Sequence, residues 1–119
     1  MAAIGQHTLG GITVIVPALN EEPVIASVVG SIVHKVKAHF GDDYEIILVN
    51  DGSSDRTGEI MDGIAADSRK IRVLHNNPNI GLGPSYMRGL QEAEREYVMM
   101  LCGCWPPRQQ PSRDIRRGG

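Results

Sequence analysis

The stretch VNDGSSD, Val49 to Asp55, places two carboxylates directly after a run of apolar residues. A carboxylate at the end of a buried strand can accept hydrogen bonds from ribose hydroxyls or a base N–H, as the acidic residue after the second strand of dinucleotide-binding folds does. Asp51 is therefore a candidate nucleotide-binding residue. Because Asp-Gly pairs are also common in turns, Asp51 could instead belong to a turn or cap a helix.

Four apolar segments, separated by three amphipathic ones, must position this carboxylate. ITVIVP shows no regular polar alternation and predicts a strand buried on both faces, YEIILV predicts a second buried strand, and IRVLHN and YVMML predict a third and a fourth strand. Apolar residues at helical spacing predict helices between them, the first with Asn20 as a possible cap and Pro23 in its first turn. This alternation predicts an α/β fold: a Rossmann-like parallel sheet with right-handed crossovers and helices on both faces.

Length and composition fit one domain of 119 residues with 41% hydrophobic residues. We expect an N-terminal extension at 1–11, the α/β domain at 12–104, and a disordered Pro/Arg-rich tail at 105–119. The net charge of -2 gives no reason to expect nucleic acid as a partner. Cysteine is absent from the first hundred residues and the N-terminus lacks a signal-peptide pattern, so we expect a cytoplasmic location.

Ligands of parallel sheets bind outside the carboxyl ends of the strands, in the crevice where strand order reverses. Here the turn after the first strand reads PALNEEP, with two carboxylates and no glycine. It therefore lacks the glycine-rich loop that holds a pyrophosphate in NAD sites. Carboxylates around phosphates need a bridging divalent cation. This pattern favours a sugar nucleotide over NAD.

Three motifs, ITVIVPALNEE, YEIILVNDGSSDRTGEI and NIGLGPSYMRGLQEA, carry a family resemblance over roughly residues 12–101. In order and spacing they resemble the donor-binding half of the family 2 inverting glycosyltransferases, whose fold is called GT-A. GLGPSYMRG is most similar to the branch of dolichyl- and polyprenyl-phosphate mannose synthases. The resemblance implies transfer of a sugar from a GDP- or UDP-sugar to an acceptor such as a polyprenyl phosphate at the membrane surface.

The resemblance also implies a set of site residues. Residues after the first strand would line the base and ribose pocket, Asp51 would contact the base or ribose, and the segment from Gly81 to Gly89 would close over the nucleotide. Each assignment has an alternative. Gly81 and Gly83 could only permit positive φ, Arg88 could be a solvated helix residue, and Glu21 could only interact with the helix dipole. No catalytic residue is identified. The candidate nucleotide-binding residues are Pro17, Leu19, Asn20, Glu21, Asp51, Gly81, Gly83 and Arg88.

The sequence departs from the family after the fourth strand. There the family places an Asp-x-Asp or Gly-Asp-Asp element that binds Mg²⁺ or Mn²⁺, whereas this chain has no carboxylate between Glu96 and Asp114. Cys102 and Cys104 occupy those positions, and thiolates match these cations poorly. Two cysteines without further ligands nearby do not make a zinc site either. We therefore predict no metal site.

The missing acidic pair, together with the absence of the family's acceptor-binding half from these 119 residues, predicts a chain without sugar-transfer activity. Two alternatives stay open. One is a non-catalytic nucleotide-binding or regulatory module, and the other is an unrelated doubly wound domain.

Overall fold

The computed structural model describes residues 11–102, which fold into a four-stranded sheet flanked by three helices. The strand order is β3-β2-β1-β4, and all neighbouring strands are parallel. The predicted α/β fold is confirmed. In chain order the elements are β1 (Ile12–Ala18), α1 (Ile25–Phe40), β2 (Tyr44–Asp51), α2 (Thr57–Ala66), β3 (Ile71–Asn76), α3 (Leu82–Glu92) and β4 (Tyr97–Met100).

The two central strands, β1 and β2, are buried along their whole length. On one face, Val14 and Leu48 belong to the larger apolar cluster, formed with α1 and α2. On the other face, Ile15 and Ile47 belong to a smaller cluster, formed with Tyr86 and other residues of α3. Because both faces are covered, successive side chains are apolar whichever way they point, which explains the lack of alternation in the sequence.

The first helix begins later than the sequence suggests, at Ile25, and Asn20 does not cap it. The intervening residues form a turn in which the carbonyl of Glu21 accepts from the amides of Val24 and Ile25, at 3.0 and 2.8 Å. The prediction of Asn20 as the cap of α1 is therefore wrong.

Proline does not end β1, which continues through Ala18. The carbonyl of Ile15 accepts from the amide of Leu101, at 2.9 Å, so odd-numbered residues of β1 direct their backbone groups toward β4. Pro17 points the same way but lies past Ile15, where the pairing with β4 ends. Its missing N–H thus removes no hydrogen bond of the sheet.

Helix α3 ends at Glu92, and the reason lies in β1 and β2. The amide of Glu94 donates to Glu45 Oε2 at 2.6 Å, and the amide of Arg95 donates to Thr13 Oγ1 at 3.2 Å. These side chains satisfy amides that would otherwise bond within the helix, so the chain turns out of α3 toward β4.

Strand β4 lies at the edge of the sheet and is largely exposed, with Tyr97 at 42%, Met99 at 45% and Met100 at 40%. The predicted fourth strand is confirmed, and among residues 11–102 only β1 flanks it. In that same range no helix is long and apolar enough to cross a membrane. The predicted N-terminal extension, apart from Gly11, and the predicted tail lie outside the described residues.

Candidate functional site

The strand order reverses between β1 and β4, because β2 and β3 lie on one side of β1 and β4 on the other. A ligand crevice is therefore expected beside the carboxyl end of β1. Three connections meet along this edge of the sheet: residues 19–24 after β1, residues 52–56 after β2, and residues 77–81 after β3, called here the 77–81 loop.

The first two connections are fastened together through Asn20, which has a positive φ of 54°. Asn20 Oδ1 accepts from the amides of Ser54 and Asp55 at 2.8 and 3.3 Å, and the Asn20 amide donates to Ser53 Oγ at 2.9 Å. Its side-chain oxygen therefore shapes the β2 connection that leads into α2. The sequence predicts Asn20 as a site residue and as the cap of α1, but its side chain binds the connection before α2 and caps neither helix.

The acidic residues after Asn20 extend this link to the start of α2. The amide of Glu21 donates to Thr57 Oγ1 at 2.9 Å, and Glu22 Oε1 accepts from the amide of Arg56 at 3.1 Å. Hydrogen bonding from the Thr57 hydroxyl, with smaller help from backbone amides, holds the pKa of Asp55 below its ordinary value although desolvation opposes it. These contacts make one rigid unit of the β1 and β2 connections.

Asp51 lies at the end of β2 with only 4% of its surface exposed. Its Oδ1 accepts from the amide of Ile80 at 2.7 Å and from Asn76 Nδ2 at 3.1 Å, while Oδ2 accepts from the amide of Gly81 at 2.9 Å. Burial raises the pKa of Asp51, but these hydrogen bonds and one from Ser85 together outweigh it and leave the pKa below its ordinary value. The carboxylate is thus ionised at neutral pH and holds the 77–81 loop rather than capping α2.

Asn76 lies at this edge of the sheet, as the sequence predicts for the polar segment after the third strand, but it is not among the candidate nucleotide-binding residues. It ends β3 as Asp51 ends β2, the two are register partners, and it is 7% exposed. Its Nδ2 donates to Asp51 and to Ser85 Oγ, and its Oδ1 accepts from Arg88 Nη1 at 2.6 Å. A polar residue at the end of a mostly apolar strand was the available signal.

The other candidate residues divide between the surface and the interior. Leu19 is 44% exposed, whereas Pro17 is buried within β1. Gly81 has a φ of 103°, as the glycine alternative expected, but Gly83 lies in the first turn of α3 without a positive φ. A Cβ on Gly89 would lie 2.5 Å from Ile15 Cγ2, so this glycine allows α3 to pack closely on β1.

Arg88 is neither a purely solvated residue nor fully available for a phosphate. Its Nη1 donates to the carbonyl of His75 at 2.7 Å as well as to Asn76. His75 in turn contacts Asn50 Nδ2 through Nδ1 at 3.0 Å and Asp62 Oδ1 through Nε2 at 2.9 Å. Helix α2, strand β3 and helix α3 are thereby linked behind the 77–81 loop.

The residues after β4 do not fit a hard divalent cation. Leu101 is followed by Cys102, whose exposed thiol is a soft ligand. Within residues 11–102, no group of three or more His, Cys, Asp or Glu side chains could hold a metal ion. The structure therefore offers no observation that supports a metal site, and Cys104 lies outside the described residues.

The chain is similar to proteins of known sequence and structure. Polyprenol monophosphomannose synthase of Mycolicibacterium smegmatis is 35% identical over 81% of this chain and 33% of its own length. Mannosyltransferase PcManGT of Pyrobaculum calidifontis, solved with GDP-Man and Mn²⁺, superposes with a TM-score of 0.69 at 24% identity, over 80% of this chain and 28% of that one. TarS of S. aureus, solved with UDP-GlcNAc, superposes with a TM-score of 0.68 at 27% identity, over 78% of this chain and 26% of that one.

The chain covers between 25% and 29% of the length of three other curated glycosyltransferases. The sequence profile of the family described as "Glycosyl transferase family 2" matches residues 13–101, nearly the whole described range. Apart from Ile12, the first residue of ITVIVPALNEE, all three motifs fall within that match. The chain belongs to glycosyl transferase family 2.

Proposed function

We propose that this chain is the donor-binding part of a family 2 glycosyltransferase and binds the nucleotide of a GDP- or UDP-sugar at the carboxyl edge of its sheet. One observation carries the proposal. The side chains of Asn20 and Glu22 join the β1 and β2 connections, and Asp51 holds the 77–81 loop, so this edge of the sheet is ordered before a ligand arrives. Such preorganisation lowers the entropy cost of binding.

The proposed site has two walls with Asp51 between them. The first wall consists of Pro17, near the end of β1, and of Leu19, Asn20 and Glu21, which follow the strand. The exposed Leu19 side chain gives it an apolar surface for a base. The second wall consists of Gly81, Gly83 and Arg88, in the 77–81 loop and α3, where backbone amides and the start of a helix favour negative charge.

The acceptor and the compartment are parts of the same proposal. The synthase named above supports a polyprenyl phosphate as the acceptor class, met at a membrane surface. The absence of cysteine before Cys102 supports a reducing, cytoplasmic compartment.

In this proposal, the chain can bind the nucleotide without transferring the sugar. The family resemblance implies a divalent cation that stabilises the leaving diphosphate, and the residues after β4 do not provide acidic ligands for it. We therefore expect the 119-residue chain to bind nucleotide without measurable transfer, which is the behaviour of the non-catalytic alternative. Metal-dependent turnover of GDP-mannose or a UDP-sugar by the purified chain would contradict this.

Calorimetry with GDP and UDP, and with NAD as a non-cognate control, tests the binding. We expect Leu19→Asp to weaken GDP or UDP binding about tenfold or more, because it removes an apolar contact and repels the diphosphate. The matched control is Met99→Asp, which changes an equally exposed apolar residue on β4, at 45% against 44% for Leu19. Equal loss in both variants, or no binding by folded wild type, would overturn the proposal.

A further inference from the structure

The side-chain orientation of Asn50 is fixed by its two neighbours. Asn50 is the second-last residue of β2 and is 9% exposed. The backbone amide of Ser53 can only donate, so the group that faces it at 3.1 Å is the Asn50 oxygen. The Asn50 nitrogen therefore faces Nδ1 of His75, its register partner on β3, at 3.0 Å.

This contact indicates which tautomer the His75 ring adopts. Because the Asn50 nitrogen donates, Nδ1 of His75 must accept, and the hydrogen of the neutral ring lies on Nε2. On its other side the ring faces Asp62 Oδ1 at 2.9 Å, an acceptor that needs a donor. Both neighbours therefore select the same neutral tautomer.

A second proton on His75 would disrupt this arrangement. The new Nδ1–H would face the NH₂ group of Asn50, and rotation of the amide would turn that group toward the Ser53 amide instead, so two donors would face each other in either case. A Cβ on Gly58 would lie 2.5 Å from the Asn50 nitrogen, so the side chain has little room to move aside. The His75 side chain is 43% exposed and exchanges protons with solvent, whereas the buried Asn50 has no water to replace a lost partner.

The contact between Asn50 and Ser53 supports the first wall of the proposed crevice. Ser53 is held from two sides, because its amide donates to Asn50 and its hydroxyl oxygen accepts from the Asn20 amide at 2.9 Å. Asn20 belongs to that wall and follows Leu19 directly. Release of the Ser53 amide therefore loosens the β2 connection at the point where it holds the β1 connection.

We propose that Asn50 is a positioning residue of the nucleotide site and that His75 makes the site pH-sensitive. Neutral His75 orients Asn50 so that it holds Ser53, and charged His75 releases Ser53. This inference rests on the proposed function. Histidine changes its charge between about pH 5 and pH 8, so nucleotide should bind more tightly at the upper end of this range.

Two charged side chains contact His75 among residues 11–102. Asp62 from α2 faces Nε2 and favours the charged ring, while Arg88 from α3 donates to the His75 carbonyl at 2.7 Å and opposes it. On β2 the facing side chain, Asn50, is neutral. Asp51, next to it, has a pKa below the ordinary value and stays ionised over this range. Of these groups, His75 is the one that changes charge between about pH 5 and pH 8.

Calorimetry with GDP and UDP at about pH 8 and about pH 5.5 tests the proposal on wild type and His75→Gln, whose polar side chain does not titrate. The terminal phosphate of the nucleotide titrates in the same range but is common to both chains. Wild-type affinity relative to His75→Gln should fall about tenfold on acidification, roughly the effect of one hydrogen bond. The matched control is His34→Gln, which changes an exposed histidine on α1 and should keep the wild-type profile.

Asn50→Asp tests the route through Asn50 with a nearly isosteric change. One oxygen of the new side chain still accepts from the Ser53 amide, and the other accepts from Nδ1–H of charged His75. The variant keeps the Ser53 contact when His75 takes up a proton, so its affinity should not fall on acidification relative to His75→Gln.

NMR supplies a readout that does not depend on nucleotide. At about pH 8 the ring nitrogen shifts of His75 should show the hydrogen on Nε2. On acidification the Ser53 amide signal of wild type should move together with the His75 ring signals, and this movement should be much smaller in Asn50→Asp.

The outcomes separate this inference from the proposed function. If folded wild type binds neither nucleotide while the Ser53 amide follows His75, the proposed function fails and the control of Ser53 by Asn50 and His75 stands without a nucleotide. If nucleotide binds and wild type has the same pH profile as His75→Gln, the pH-sensitive role is overturned. A loss on acidification that persists in Asn50→Asp, a loss that disappears in His34→Gln, or a hydrogen on Nδ1 at about pH 8 would also overturn it.

Discussion

Strand β2 carries a buried carboxylate near each end, Glu45 and Asp51, and the two have the same structural task. Asp51 accepts from amides before α3, and Glu45 Oε2 accepts from the Glu94 amide after α3 and from the Thr13 hydroxyl, both at 2.6 Å. Each is less than a tenth exposed. Helix α3 is thus fastened to β2 at both ends by acidic side chains.

Their surroundings differ. Glu45 lies 3.4 Å from Arg72 Nη2, and Arg72 also contacts Glu92, so the carboxylate is part of an ion-pair network at the amino edge. Among residues 11–102, no cation contacts Asp51, and its hydrogen bonds come from neutral donors. Arg88 is linked to it only through Asn76. Similar chemistry therefore serves structure at one edge of the sheet and, in our proposal, ligand binding at the other. Position in the fold decides which.

The largest expected effect is on stability at the amino edge. Glu45→Ala leaves the Glu94 amide and the Thr13 hydroxyl without their buried acceptor, so the free energy of unfolding should fall by about 2–4 kcal/mol. Urea denaturation measures this. Glu92→Ala, which removes the half-exposed partner of Arg72, should cost no more than about 0.5 kcal/mol. Equal losses in the two variants would remove the distinction between a buried and an exposed carboxylate.

At the carboxyl edge the main effect should be on binding. Asp51→Ala releases the 77–81 loop, so GDP or UDP affinity should fall by about 1–3 kcal/mol, the range for a hydrogen bond to a charged group. Calorimetry on variants that circular dichroism shows to be folded measures this. Asp62→Ala, an exposed acid on α2, should leave affinity nearly unchanged. Unchanged affinity in folded Asp51→Ala would exclude Asp51 from the site.

Acid should remove part of the stability that Asp51 supplies. Its pKa is lowered in the folded protein, so its contribution is fully present above the ordinary value of 3.8 and is lost as pH falls below that value toward the folded pKa. The stability advantage of wild type over Asp51→Asn should therefore shrink in acid. Asp55, whose pKa is also lowered, is present in both chains, so its contribution cancels in the difference between their stabilities. An advantage that stays constant down to about pH 2 would contradict this prediction.

The smallest effect should come from the C-terminal residues. All proposed site residues lie between Pro17 and Arg88, so deleting residues 105–119 should change nucleotide affinity by no more than about twofold. Calorimetry on the shortened chain checks this. A tenfold loss would place part of the nucleotide site after β4.

The sequence predicts the strands, the helices and the candidate edge because these depend on local periodicity and on polar residues at strand ends. Asp51 became a candidate in this way, whereas Gly81 became one through the family resemblance. Glu45 was read only as part of a buried strand, because its partner, the Glu94 amide, is 49 residues away and no local pattern joins them.

The exposure of β4 is hidden from the sequence for a related reason. Its apolar residues resemble those of β1, but burial depends on neighbouring elements, and among residues 11–102 β4 is flanked by β1 alone. The start of α1 was misplaced because Asn20, which can serve as a cap, binds the connection before α2 instead. Only the folded chain brings the amides of Ser54 and Asp55 to it.

The strand order also has a consequence for how the chain folds. Ile12 pairs with Tyr44 on one side and with Tyr97 on the other, so the two sides of β1 close over very different chain lengths. During synthesis β1, β2 and β3 can associate once residue 76 has emerged, while the other side of β1 keeps unpaired N–H and C=O groups until β4 follows. An unpaired strand is a template for incorrect pairing. The pairing of β1 is therefore completed last, and the time for which its second side stays exposed is set by the rate at which the 20 residues between Asn76 and Tyr97 are made.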